Sequence, residues 1–442
     1  MPNHPLTRLF EDHLEEIGQR TARALEASGF EGLLLHAGDA LGVFLDDQQY
    51  PFKAHAPFRW WAPLLDAPGS LVHVRPGRPP QLVFRIETDF WYQPAALPAA
   101  WWPQAFEVVE ARSDAAVRAA LPADLSRTAW IGDDRADLAG WGLAAVNPPA
   151  LLRRLDYQRA RKTPYEIACL REANRVGLRG HVAAEACFRA GGSEYEIHQA
   201  FAAACGQREQ ELPYNAIVAL DEAAAVLHYQ VLRRERPAAP RTLLLDAGAS
   251  FAGYGSDITR THAFTDGEFK ALIGRMDEVQ QALCAKVRPG VDWRDIHRTA
   301  VEGVAGLLHE AGVVRCSVEE SLANGVARLF FPHGIGHLLG LQVHDVGGFM
   351  ADDAGGTLPK PPQDPALRLT RRLEPGFVVT MEPGLYFIEA LLGPARSGPL
   401  AKHIAWDRVG ALQPFGGIRI EDDLAVTAEG CENLTRGTVT AR

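Results

Sequence analysis

Two stretches of this chain match at an offset of 99 residues. Residues 189–198 read RAGGSEYEIH and residues 288–297 read RPGVDWRDIH, with Arg, Gly, Ile and His in register. Asp292 stands where the first copy has Ser193, and both residue types suit a helix N-cap. Each copy reads as a helix, a glycine turn and a capped helix. A repeat at fixed spacing predicts that the region around it is built from two related halves. Turns of this kind also look alike in unrelated helix pairs.

At 442 residues the chain exceeds what one ordinary core supports, which points to two domains. Residues 1–158 carry strand-like runs at 32–35, 81–84 and 128–131. Helical segments at 7–28 and 112–120 lie between them, and this alternation predicts a smaller α/β domain. It has no phosphate-loop or dinucleotide fingerprint. The boundary falls in DYQRARK, residues 156–162. Thr163 then offers an N-cap, Pro164 suits the first helical position, and Glu166 completes a capping box. That helix should reach about Arg189, where Gly191 and Gly192 stop it. Ser193 with Glu196 makes a second capping box. Apolar strands follow the helical blocks: 242–245 running into Asp246, its hairpin partner 258–264, then 377–381 and 418–420. Residues 159–442 are therefore expected to form an α+β domain, helices packed on a mostly antiparallel sheet.

The net charge of −10 argues against nucleic acid and against an anionic membrane surface as partners. No run of 18 apolar residues is present, so no membrane span is expected. The first 30 residues carry acids throughout and lack the apolar core of a signal peptide. Six scattered cysteines, none in a C-x-x-C pair, read as reduced thiols in a cytoplasmic protein.

Chemistry concentrates in four places. In DAGASFAGYGSD, residues 246–257, an apolar strand runs into Asp246, and Asp257 opens the next strand. A hairpin would set the two carboxylates side by side, where they repel unless a cation or proton lies between them. Asp and Gly are also ordinary turn residues. FFPHGIGHLLGLQVHD, residues 330–345, holds His333, His337 and His344. Gly334 stands where an H-E-x-x-H zinc helix needs its glutamate, which argues against that motif. Glu382 ends the strand in FVVTMEPG, and Glu421 follows the strand in GGIRIEDD. A buried acid needs a partner or a cation. For Glu421 the alternative partner is Arg419, on the same strand face. Four carboxylates and one imidazole suit a pair of Mn²⁺, Co²⁺ or Zn²⁺ ions better than a structural zinc. Two such ions, about 3.5–4 Å apart, can share a bridging hydroxide as nucleophile.

The order Asp246, Asp257, His337, Glu382, Glu421 resembles that of the pita-bread metallopeptidases, which include methionine aminopeptidase, Xaa-Pro aminopeptidase and prolidase. The words DAGA, GYGSDITRT, HGIGHLLGLQVHDVGG, MEPGLYFI and GGIRIEDD are similar to bacterial prolidases, including those close to organophosphorus acid anhydrolases. The resemblance extends to FLDDQQYPFK at 44–53 and KTPYEIACLREAN at 162–174. It implies a pseudo-twofold catalytic domain, which agrees with the repeat. It implies that Asp246 chelates one ion, that Asp257 and Glu421 bridge both, and that His337 and Glu382 complete the set. His228 and His344 match histidines that contact substrate and the developing tetrahedral centre. His333, Tyr214 and Arg419 match pocket residues, and Thr259 matches a hydroxyl supporting a ligand. Arg368, in LRLTRRLEPG, matches the arginine that grips the C-terminal carboxylate of an Xaa-Pro dipeptide. Its neighbours Arg371 and Arg372 also fit a solvated basic run.

The implied reaction is hydrolysis of Xaa-Pro dipeptides by a hydroxide shared between two divalent ions, with Mn²⁺ the first choice of metal. His228 or His344 would stabilise the oxyanion, and Glu382 would pass a proton to the leaving proline nitrogen. The rivals are an Xaa-Pro aminopeptidase acting on longer peptides, phosphotriester hydrolysis at the same centre, and a metal-free binding module. The last predicts substituted ligands, whereas all five are present. Homologous prolidases also imply a homodimer, with Trp60-Trp61 and Asp46-Asp47 as candidates for reaching the partner.

Overall fold

The computed structural model describes residues 4–87, 90–91 and 93–437. The chain forms two compact units. One is 1–169 with 252–254 and 350–357, and the other is 170–251, 255–349 and 358–442. The two short returns into the first unit come from far along the sequence, and no local pattern announces them.

The first unit is built on a six-stranded mixed sheet. In chain order its strands are β1 (Gly32–His36), β2 (Leu71–Val74), β3 (Gln81–Arg85), β4 (Glu107–Ala111), β5 (Thr128–Ile131) and β6 (Ala145–Val146), arranged 4-3-2-1-5-6. Strand β1 is buried along its whole length. It pairs antiparallel with β2 and parallel with β5, as a central apolar strand should. Helix α1 (Leu6–Ser28) buries Phe10, Leu14, Ile17 and Leu25, spaced by three, four and eight residues on one face. Leu34, Val83, Trp130 and Trp141 belong to the core. Helices α2 (Ala56–Arg59), α3 (Asp114–Ala119) and α4 (Pro149–Arg159) complete the unit. The α/β expectation holds, and three of the six strands were read from the sequence.

One expectation is corrected here. Trp60 and Trp61 are 3% and 2% exposed, so they are core residues and no contact surface. Their indoles serve the hydrophobic interior. Asp46 and Asp47 do lie on an exposed segment, beside Phe44 at 86% and Leu45 at 91% exposure.

Helix α5 (Pro164–Arg189) starts at the expected capping box. The Glu166 backbone N–H donates to Thr163 Oγ1, and the Thr163 N–H donates to Glu166 Oε2 at 2.9 Å. Helix α6 (Glu194–Cys205) has the Ser193–Glu196 box. Helices α7 (Glu268–Cys284) and α8 (Trp293–Glu310) repeat the pattern, with Asp292 accepting from the Arg294 N–H. Both copies of the repeat are thus helix, turn and capped helix.

Each helix pair leads into a three-stranded antiparallel sheet. The first holds β7 (Ile217–Leu220), β8 (Thr242–Asp246) and, after the short β9 (Ser250–Phe251) and β10 (Tyr254–Gly255), β11 (Thr259–Ala263). The second, which follows the short α9 (Val318–Asn324), holds β12 (Val378–Met381), β15 (Asp422–Val426) and β16 (Cys431–Asn433). Strands β13 (Gly384–Tyr386) and β14 (Gly417–Arg419) pair beside them, with α10 (Glu389–Ala395) and α11 (Trp406–Leu412) between. Bridges Thr259↔Glu421 and Leu338↔Val379 tie the carboxylate-bearing segments together. The second unit is α+β, as expected.

Candidate metal centre

Strand β8 carries three buried leucines, Leu243 to Leu245, and ends on Asp246. Asp246 is paired in register with Thr259 of β11 and Ile217 of β7, so the sheet fixes its position. Asp257 enters two residues before β11. Its backbone N–H donates to Asp423 Oδ2 at 3.0 Å, and that oxygen also accepts from Asn174 Nδ2 at 2.8 Å. Glu421 lies across the bridge from Thr259, whose Oγ1 donates to Glu421 Oε2 at 2.7 Å. Glu382 follows β12, its N–H bonded to Ile335 O at 3.0 Å.

His337 is held by Thr380, which accepts from the His337 N–H through Oγ1 at 3.2 Å. Its Nδ1 faces Leu338 O at 3.1 Å. With that nitrogen committed as donor, Nε2 faces the acids, 3.4 Å from Asp257 Oδ2 and 3.8 Å from Glu382 Oε1. Asp257, His337 and Glu421 present ligand atoms within 4.8 Å of one another. All five residues line a single cavity of about 270 Å³.

Four carboxylates lining one cavity, with Asp257 and Glu421 buried, resist ionising together. Burial and the neighbouring acids push Glu421 well above the usual carboxylate range, and burial raises Asp246. Burial pushes Glu382 up to about 7. Burial also acts on Asp257, but His337 outweighs it and holds that carboxyl low. The buried guanidinium facing them is Arg419. Its Nη2 donates to Asp246 Oδ2 at 2.7 Å, its Nη1 to the Tyr386 hydroxyl at 2.9 Å and its Nε to Thr259 Oγ1 at 3.3 Å. The alternative pairing of Arg419 with Glu421 is not formed. One guanidinium does not neutralise four carboxylates. The donor set, oxygen-rich with one imidazole nitrogen turned inward, fits divalent cations.

The remaining expected residues reach the site in different ways. His228, His333, His344 and Arg368 line the cavity. The His344 ring meets His337 edge-on, centroids 4.4 Å apart, and burial with His337 and Arg368 lowers its pKa to about 4. Tyr214 donates its hydroxyl to Asp246 Oδ1 at 2.8 Å and acts as a support for that carboxylate. His333 takes the Tyr386 hydroxyl on Nε2 and gives Nδ1–H to Gly334 O, both at 2.8 Å. The basic run around Arg368 separates cleanly. Arg371 is buried, bonded to Glu374 at 2.7 Å and stacked over Phe377. Arg372 donates to Gly290 O at 2.9 Å. Arg368 is exposed on the cavity wall. Tyr386, Thr380 and Asp423 escaped the sequence reading. Only MEPGLY, which runs four residues past Glu382, carried a hint of the tyrosine.

Residues 168–428 match Metallopeptidase family M24, and residues 8–157 match the Xaa-Pro dipeptidase, N-terminal domain. A Stenotrophomonas maltophilia protein named Xaa-Pro dipeptidase is 45% identical over 429 residues, covering 97% of this chain and 96% of its own length. One of the same name from Aeromonas hydrophila is 46% identical over 432 residues, covering 97% and 98%. Among solved structures, Pseudomonas aeruginosa aminopeptidase PepP superposes with a TM-score of 0.73 at 23% identity, covering 96% and 95%. Escherichia coli aminopeptidase P with the inhibitor Pro-Leu gives 0.71 at 24% identity, covering 95% of each chain. These two likenesses concern the fold, which is the expected pita-bread catalytic domain behind a smaller N-terminal one.

Proposed function

The chain belongs to metallopeptidase family M24, and from that membership we propose an Xaa-Pro dipeptidase whose Asp246, Asp257, His337, Glu382 and Glu421 hold two divalent ions, Mn²⁺ first and Co²⁺ or Zn²⁺ as alternatives. When bound, such a pair supplies a hydroxide at neutral pH and a Lewis acid for the scissile carbonyl. The chain's own residues do the rest. Arg368 receives the substrate's free C-terminal carboxylate by charge-assisted hydrogen bonds. Tyr214, Thr259 and Arg419 hold Asp246 and Glu421 in place. His228 and His344 face the carbonyl oxygen from the cavity wall. His344, neutral at physiological pH, has an N–H to donate there. Glu382, whose carboxylate lines the same cavity, takes up the proton released by the nucleophile and passes it to the leaving proline nitrogen.

The observation that carries dipeptide specificity is Arg368. Of three arginines between 368 and 372, two are bonded elsewhere and this one lines a cavity of about 270 Å³, small beside sites for drug-sized ligands. A longer peptide has no carboxylate at that point. The test is a rate comparison of Gly-Pro, Ala-Pro, Gly-Pro-Gly and a phosphotriester, with Mn²⁺ restored after chelator treatment. Dipeptides should lead the tripeptide by at least about tenfold, a difference of 1.4 kcal/mol. Equal rates would make the enzyme an aminopeptidase, and the phosphotriester arm measures any side activity.

The working domain division is 1–158 and 159–442. The exposed Leu41, Phe44, Leu45 and Tyr50 support a homodimer in which this segment contacts the partner. Sedimentation as a monomer would remove that reading. No described helix is long and apolar enough to cross a membrane. The six cysteines form no disulfide, which supports a cytoplasmic setting.

A further inference from the structure

The N-terminal unit holds a second cluster of ligating side chains, remote in sequence from the five at the centre. His36 is the last residue of β1, and Asp133 follows β5, its parallel neighbour by two residues. Asp39 and His55 stand just before and just after segment 40–54, which is exposed over most of its length. The carboxyl ends of adjacent parallel strands are where open α/β sheets bind ligands.

Three observations point to a bound ion. First, His36 is 1% exposed, yet neither ring nitrogen has a hydrogen-bond partner. A buried polar group without a partner costs roughly 1–3 kcal/mol. Second, three of the residues gather at near-ligand separations, and His55 joins them through Asp133. His36 Nε2 lies 3.5 Å from Asp39 Oδ1, and His55 Nε2 lies 3.2 Å from Asp133 Oδ1. Donors about 2.0–2.1 Å from a tetrahedral ion stand roughly 3.4 Å apart. His36, Asp39 and Asp133 offer atoms all within 4.8 Å of one another. Third, the backbone makes room for both imidazoles. A Cβ at Gly132 would overlap the His36 side chain, and one at Gly38 would overlap the His55 ring. Both glycines have positive φ, 153° and 107°, which other residues adopt only with strain.

We propose that His36, Asp39, His55 and Asp133 form a mononuclear divalent-metal site, of Zn²⁺ type, that fastens both ends of the 40–54 segment to the ends of β1 and β5. Two imidazoles and two carboxylates make a closed tetrahedral set, whereas Ca²⁺ and Mg²⁺ favour all-oxygen shells. Asp133 is already oriented, since its Oδ2 accepts the Asp39 N–H at 2.9 Å. Arg135 donates to Asp39 at 3.2 Å, but it is shared with Asp137 at 3.0 Å and Asp114 at 3.8 Å, so the cluster stays negative. Burial, and then Arg135, keep His36 neutral, the form that ligates.

The test uses the full chain, stripped with chelator, reloaded with Zn²⁺ and dialysed before zinc is counted. His55→Ala and Asp39→Asn should each hold one ion fewer per chain than the wild type. The Asp257→Asn, Glu421→Gln double variant should keep an ion that His55→Ala removes from it, so the result is independent of the catalytic reading. Zn²⁺ should also slow proteolytic cutting within 40–54 at least tenfold in the wild type and not in His55→Ala. His55 is partly exposed, so its variant folds even if His36→Gln does not. Equal zinc in wild type and His55→Ala, or zinc bound with no change in cutting, would overturn the site as an adventitious ion only.

Discussion

Arg419 donates to Asp246 at 2.7 Å, although Glu421 is the acid beside it in sequence. The two partners are 173 residues apart and meet because β14 and β8 come together at the centre. The same guanidinium holds Tyr386, so one buried cation organises a carboxylate ligand and the tyrosine that bonds His333.

Breaking that pair leaves a buried carboxylate unmatched, which typically costs about 3–5 kcal/mol. Arg419→Met is therefore expected to lose about that much stability in urea unfolding of the metal-free protein. It should lose less with Mn²⁺ present, because the ion then balances Asp246. An equal loss in both states would sink this account.

Thr259 lies behind the cavity lining, and its hydroxyl donates to Glu421 Oε2. Thr259→Val keeps the shape and removes the donor. Metal affinity by calorimetry should fall about 10–100-fold. Asp257→Asn and Glu421→Gln should fall further, in metal content as well as turnover. If they retain both, the ligand assignment is wrong.

Arg368→Ala removes a charge-assisted bond worth roughly 1.5–3 kcal/mol. The kcat/KM for Gly-Pro should drop about 10–100-fold while that for Gly-Pro-Gly stays level, so the dipeptide preference shrinks. An unchanged ratio would dismiss Arg368 as the carboxylate clamp.

Without metal, burial raises Glu382 to about 7. Its folded pKa then lies above its unfolded value of about 4.5, so between them the native state binds more protons than the unfolded one. Stability of the metal-free protein should fall as pH rises through that window. A divalent ion takes the place of the proton, so the rise in Tm on adding Mn²⁺ should be larger near pH 8 than near pH 5. A gain independent of pH would contradict it.

Sequence alone determined what depends on neighbouring residues. The Thr163–Glu166 and Ser193–Glu196 capping boxes formed as written, because a cap is a contact across three residues. So did the run of leucines ending in Asp246, and the helix–turn–helix repeat. The four acids and one imidazole that line the cavity were legible as candidates too, since each sits at a strand end or glycine turn with its own local signature. What folding decided was pairing at a distance. That Arg419 chose Asp246, that Asp423 anchors the Asp257 backbone, that Arg371 is buried while Arg368 lines the cavity, and that Trp60 and Trp61 are core all depend on which strands and helices meet. Local propensity specifies an element's period and ends. Only the packed molecule specifies which charge, in low dielectric, is left to face which.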